Sequence, residues 1–225
     1  RLGLPAVPSC AESVALATIL ALARETGVRV HLQRLSTAEG VAMVRDAKRA
    51  GLAVTCEVAA HHLHLCDVDI GWFDAQARFD PPLRGTRDRA ALRAGLADGT
   101  IDVVSSDHAP VDDDAKLVPF GEAEPGATGL ELLLSLTLKW AAEEQVSLPD
   151  AIARVTSAPA AILGVAAGRI AVGAVADLCV FDPASHWRVE RNALASQGKN
   201  TPFLGLELPG RVRWTLVGGQ VVHEA

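Results

Sequence analysis

Two hydrophobic rhythms take turns along the chain up to about Gly164, and this alternation constrains the fold more than any other feature. Residues 11–26 carry Val14, Ile19, Leu20 and Leu22 at helical spacing and stop at Gly27; residues 28–35 are then a short β-branched and apolar run. Ser36-Thr37-Ala38-Glu39 follows as a capping-box pattern, in which the serine oxygen and the glutamate satisfy orphan N–H groups of a first turn. A helix is therefore predicted from Thr37 to about Ala50, ended by Gly51. The cycle repeats with a strand over 53–58, a helix over 87–97 and an apolar strand over 101–105. Thr128-Gly129-Leu130-Glu131 is a second capping box, predicting a long helix to about Glu144. Ser147-Leu148-Pro149-Asp150 is a third start, with proline early in the helix, where its missing N–H costs little.

Short strands alternating with helices imply an α/β protein built from parallel βαβ units. Three such strands cannot close an eight-stranded barrel. The remaining units either precede Arg1 or the sheet is small and open. Arg1-Leu2-Gly3-Leu4-Pro5 has neither an initiator methionine nor a signal-peptide pattern, so the chain is expected to begin mid-protein.

After Gly164 the texture changes. Gly168-Arg169-Ile170-Ala171-Val172-Gly173 leads into Leu178-Cys179-Val180-Phe181, a strand expected to end at Asp182-Pro183. Residues 211–217 and 220–222 flank Gly218-Gly219, a two-residue hairpin signal. The expected division is thus an α/β portion at 1–164 and a β-rich portion at 165–225.

Hydrophobic residues at 49% and charged residues at 21% provide for a sizeable soluble core. A net charge of −6 without a basic stripe argues against nucleic acid or an anionic membrane as the main partner. The longest apolar stretch, 14–23, is far short of the roughly 20 residues of a membrane span. Cys10, Cys56, Cys66 and Cys179 show no C-x-x-C pairing and are expected to be reduced, mostly buried thiols of a cytoplasmic protein.

Reactive groups of parallel α/β folds sit at the C-terminal ends of the strands. Asp107, just after the buried run 101–105, would face such a mouth and could ligate a metal or take a proton from water. The structural alternative is that it caps the following loop. His61, His62 and His64 resemble a metal cluster. On a regular strand, however, neighbours point to opposite faces, so His61 and His62 cannot both reach one ion; hydrogen bonds that order the loop are the simpler reading. His31 is expected to be a satisfied core histidine, and His186 and His223 carry no catalytic argument.

Taken in order, Gly3-Leu4-Pro5, Leu35-Ser36-Thr37, Glu57-Val58-Ala59-Ala60-His61-His62-Leu63, Pro81-Pro82-Leu83-Arg84, Ser106-Asp107-His108-Ala109-Pro110 and Asn200-Thr201-Pro202-Phe203 resemble the dihydroorotases. That resemblance implies the C-terminal part of a zinc-dependent (β/α)₈ TIM-type barrel in the 1–164 portion. It also implies strands of a small β-sandwich in the 165–225 portion, and cyclic-amide chemistry of pyrimidine biosynthesis. It places the metal-binding general base on Asp107 and a histidine ligand on His62. The family's other histidine ligand falls on Arg34, its substrate-binding asparagine on Asp80, and the histidine closing its Asp-His-Ala-Pro-His motif on Val111. Of its Pro-Phe-Gly substrate loop only Gly126 is kept, in Glu124-Pro125-Gly126; Pro119-Phe120-Gly121 has the letters but lies too early. The family's His-x-His pair would lie upstream of Arg1.

These departures share a physical sense. A guanidinium offers no lone pair and stays protonated, so Arg34 opposes a metal ion and can pair with Asp107 instead. Val111 cannot donate to a carboxylate, and Asp80 would repel an acidic substrate. The resemblance is therefore closest to inactive dihydroorotase-like proteins, with zinc absent or weakened. Such relatives assemble with aspartate carbamoyltransferase, which implies that enzyme as partner within an oligomer. The alternative is a working zinc-dependent cyclic amidohydrolase converting N-carbamoyl-aspartate to dihydroorotate. A small α/β binding domain of unrelated function fits the length but not the ordered motifs.

Overall fold

The computed structural model describes residues 3, 4 and 7–225; Arg1 and the Pro5 of the Gly3-Leu4-Pro5 match lie outside the described residues. Helix α1 (Ser9–Thr26), strand β1 (Val30–Leu32), α2 (Ala38–Arg49), β2 (Val54–Ala59), α3 (Thr86–Ala97) and β3 (Val103–Ser105) form the expected cycle. The strands pair in parallel in the order β1-β2-β3, with Val30 opposite Val54 and Val58 opposite Val104. β1 is shorter than the run 28–35 because Arg34 turns the backbone to φ 54, out of the extended region. Leu35 N–H then rejoins the sheet at the Glu57 carbonyl.

The helices cover one face of this sheet and bury Val44, Cys56, Val58, Leu63, Leu96, Ile101, Leu132 and Trp140 almost completely. Capping departs from the sequence reading. Thr37, not Ser36, caps α2, accepting the Gly40 N–H at 2.9 Å. The carboxylate comes from Glu12 on α1, which accepts the N–H and hydroxyl groups of both Ser36 and Thr37. A tertiary contact has replaced the local box, and it ties α1 to the turn after β1.

The second expected box is also unmade. Thr128 Oγ1 turns to the Gly198 carbonyl at 2.8 Å, and Glu131 accepts the N–H groups of Ala195 and Ser196. Residues 130–132 become a 3₁₀ turn, and α4 starts only at Leu133 (Leu133–Glu143). The third signal stands: Ser147 Oγ accepts the Asp150 N–H at the head of α5 (Leu148–Ala153), with α6 (Ser157–Leu163) following.

Strands β4 (Leu178–Arg188), β5 (Glu207–Val217) and β6 (Gln220–Glu224) make one antiparallel meander. β4 does not end at Asp182-Pro183. Pro183 falls inside a register shift between Asp182 and His186, where no ladder N–H is needed of it, and Asp182 Oδ1 accepts the N–H groups of Ala184 and Ser185. Gly218 and Gly219 both take positive φ in the hairpin, as a tight primed turn requires. Among the described residues this portion is a single three-stranded sheet, so the expected sandwich is not present as two layers. The sheet docks on α4: Trp187 Nε1 donates to Ser135 Oγ at 3.0 Å. A β-carbon on Gly210 would meet Leu138 Cδ1 at 2.3 Å. Only Cys56 and Cys66 are buried; Cys10 and Cys179 are exposed, and all four are free thiols. No helix among the described residues is long and apolar enough to cross a membrane.

Candidate active site

The three parallel strands end together, and each delivers one side chain to the same place. After β1 comes Arg34, after β2 His61, and after β3 Asp107. Arg34 Nη1 lies 3.8 Å from Asp107 Oδ1, and His61 Nε2 lies 3.9 Å from Asp107 Oδ2. Both Arg34 and Asp107 have positive φ, 54 and 44, a costly conformation for residues with a β-carbon and one that clusters at functional sites.

His61 and His62 are not on a strand. They occupy a one-turn 3₁₀ helix, Ala60–Leu63, in which successive side chains diverge by a third of a turn. His61 turns towards Asp107, stacked on Phe79 with centroids 3.8 Å apart, whereas His62 Nε2 meets the Pro82 carbonyl at 3.4 Å. The resemblance places the ligand role on His62; the geometry brings His61 to Asp107 instead. Both rings are buried, and His61 Nε2 and His62 Nδ1 have no hydrogen-bond partner. Burial drives the pKa of His61 well below its ordinary value, with further lowering from His62 and Arg34. Burial likewise lowers His62, to about 4. Both rings are therefore neutral at pH 7. Asp107 is shifted upward by burial, an effect that Arg34 opposes and Glu57 and Asp80 reinforce.

The other positions are near but not equivalent. Asp80 reaches the site through its backbone, its carbonyl accepting from Arg34 Nη1 at 2.7 Å, while the residue itself is exposed. Val111 offers only its N–H, to Asn200 Oδ1 at 3.1 Å. Gly126, at φ 124, packs so closely that a β-carbon would come within 2.6 Å of the Ala109 carbonyl. Phe120 of Pro119-Phe120-Gly121 is held by Arg78, which donates to its carbonyl at 2.6 Å and lies over its ring. His31 is satisfied by Thr55 and Glu57, though its side chain keeps 24% exposure and so is not fully core. His64 Nε2 donates to the Leu136 carbonyl on α4 at 2.9 Å, away from Asp107. His186 lies beside the Ala184 carbonyl, away from the site.

Phe79 and Asn200 were not singled out by sequence reasoning. Asn200 lies in a quoted motif, whereas Phe79 had no signal beyond its place next to Asp80.

The donor set decides what the site can hold. An unpartnered imidazole nitrogen and a carboxylate face one another, as two metal ligands would. Catalytic zinc takes three protein ligands, and the third direction here is filled by a permanent cation. Among the described residues, no three His, Cys, Asp or Glu side chains converge. The residues of this chain do not by themselves fit zinc.

The amidohydrolase family description matches residues 2–223. Among curated relatives, a dihydroorotase of Citrifermentans bemidjiense is 43% identical over the whole chain, which spans 53% of that protein. Dihydroorotase-like proteins of Pseudomonas putida and Pseudomonas aeruginosa are 44% and 43% identical over 99% of the chain, which spans 52% of each. The chain spans about half the length of the curated relatives it matches. Among solved structures, the L-hydantoinase (dihydropyrimidinase) of Arthrobacter aurescens superimposes with a TM-score of 0.90 at 28% identity, covering 96% of this chain and 49% of that one. A D-hydantoinase gives 0.88 at 27% identity, covering 96% of this chain and 50% of that one.

Proposed function

The chain belongs to the amidohydrolase family, and from that premise we propose that it is the C-terminal portion of a dihydroorotase-like protein that has lost its catalytic metal. The observation that carries this reading is Arg34, whose guanidinium sits 3.8 Å from Asp107 where the family resemblance calls for a neutral imidazole. A unit cation about 4 Å from a dication costs on the order of 8 kcal/mol at an effective dielectric near 20. Arg34 supplies the positive charge instead, and Asp107 is engaged as its counter-ion rather than as a free base. Val111 and Asp80 add that the contacts expected to read an acidic substrate have also changed.

In this reading the three-stranded parallel sheet completes its barrel with strands outside the sequence described, and the β4–β6 meander is one layer of the small sandwich. The protein persists as a cytoplasmic structural partner of aspartate carbamoyltransferase within an oligomer in pyrimidine biosynthesis. One observation favours a second reading, an active cyclic amidohydrolase: His61 Nε2 is unpartnered and aimed at Asp107.

Metal analysis and a dihydroorotase assay on the full chain, wild type and Arg34→His, separate the two. Little zinc and no turnover in the wild type, with zinc content rising in Arg34→His, supports the inactive reading. Stoichiometric zinc with turnover in the wild type overturns it. Co-purification with aspartate carbamoyltransferase, and loss of that activity on deletion, tests the partnership; independent purification with undiminished activity would sink it.

A further inference from the structure

Asp107 holds a left-handed backbone conformation that is uncommon and mildly costly for a residue with a β-carbon, so the segments packed on its loop bear on whether it is kept. Its neighbours are held from outside the barrel strands. Gly129 lies against Ser106 so closely that a β-carbon would come within 2.4 Å of the Ser106 carbonyl oxygen. On the other side, His108 Nδ1 accepts the N–H groups of Gly129 and Leu130, each at 3.2 Å, so its proton sits on Nε2 when the ring is neutral.

Gly129 is set by Thr128, and Thr128 is set by Asn200. The Thr128 N–H donates to the Asn200 carbonyl at 2.7 Å, and its hydroxyl lies 3.3 Å from Asn200 Oδ1. Asn200 Oδ1 also accepts the Val111 N–H at 3.1 Å, and its Nδ2 donates to the Gly126 carbonyl at 3.2 Å. Asn200 is 1% exposed and lies 89 residues beyond Val111, on the connector between β4 and β5. Only an amide offers both an acceptor and a donor in one short planar group, so Asp, Ala or Ser cannot make this set.

We infer that Asn200 is the positioning residue of the Asp107 loop. It touches neither Asp107 nor any reacting group; it acts through Thr128 and Val111, so that the β4–β5 connector of the β-rich portion dictates how Asp107 is presented. The inference holds whether or not the site turns over, and it does not rest on the loss of the metal.

The test compares Asn200→Ala with Thr201→Val in the full chain. Thr201 is equally buried, but its hydroxyl serves only Phe203 N–H in its own segment. Amide hydrogen exchange and the ¹⁵N signals of the His108 ring are read, with global stability measured by denaturation. In Asn200→Ala the Val111 amide should exchange about tenfold faster than global destabilisation accounts for, the equivalent of one lost hydrogen bond, while the Thr128 amide keeps its acceptor, the backbone carbonyl of residue 200. His108 should also leave its Nε2–H tautomer. Thr201→Val should accelerate exchange uniformly and leave His108 unchanged. Should Asn200→Ala not fold, Thr128→Val cuts the same link one step nearer Asp107 and must reproduce the His108 change. Uniform acceleration with an unchanged His108 in either variant overturns the inference.

Discussion

Acid should destabilise this protein through its buried histidines, and His62 gives the effect a size. Its ring is 2% exposed, and burial lowers its pKa from 6.5 to about 4. A depressed folded-state pKa means that the unfolded chain binds the proton more tightly. The stabilising contribution is therefore complete above pH 6.5 and is lost as the pH falls through about 4. At about 1.4 kcal/mol per pKa unit the whole effect is on the order of 3 kcal/mol, most of it gone by pH 4.5. Against a typical domain stability of about 5–15 kcal/mol this is a large share. His64, lowered to about 4 mainly by burial, adds its loss in the same window, and His61, lowered further, acts in the same direction. The perturbation is His62→Asn, which removes the titrating ring; the assay is urea denaturation followed by tryptophan fluorescence from pH 7.5 to 4.5. The variant will be less stable at pH 7.5, but between those pH values it should lose about 2–3 kcal/mol less than the wild type. Parallel stability curves for the two proteins would refute the reasoning, because they would mean that His62 takes up its proton without resistance from the fold.

Two further substitutions test the packing around the site. Gly126→Ala combines a positive φ of 124 with a β-carbon 2.6 Å from the Ala109 carbonyl; it should cost about 2–4 kcal/mol and lower Tm by several degrees in calorimetry. An unchanged Tm would show that the 109 and 126 segments are loosely held. Glu12→Gln keeps the shape of the side chain but replaces the acceptor of two N–H and two hydroxyl groups by an amide with one oxygen. It should destabilise by about 1.5–3 kcal/mol in urea, with an effect near zero meaning that Glu39 makes the local box after all.

How far the site could be read in advance depended on which interactions were local. Asp107 was found because a buried apolar run ending in an acid places that acid at a strand end, whatever the rest of the chain does. Arg34 was found by its place before Leu35-Ser36-Thr37, and its pairing with Asp107 followed from charge. For His61 and His62 the expectation that both cannot reach one ion was drawn on a regular strand; the rings do part, one towards Asp107 and the other towards the Pro82 carbonyl, but from a different backbone. The chain leaves the sheet at Ala59 for a 3₁₀ turn, and one step in such a turn decides which ring faces the acid. Both capping boxes at Ser36 and Thr128 matched in letters and failed in space, because Glu12, Gly198 and Asn200 arrive from distant segments with competing partners.

The amino-acid order by itself determined the alternation of strands and helices, the β-rich tail and the residues carrying charge to the strand ends. Hydrophobic period, glycine stops and strand-end position are properties of neighbours along the chain. Tertiary structure alone decided which histidine meets Asp107, where the caps find their partners, and that a connector far downstream grips the Asp107 loop. Those outcomes depend on groups that meet only once the chain is closed, when each buried N–H and carbonyl takes whichever partner lies within reach.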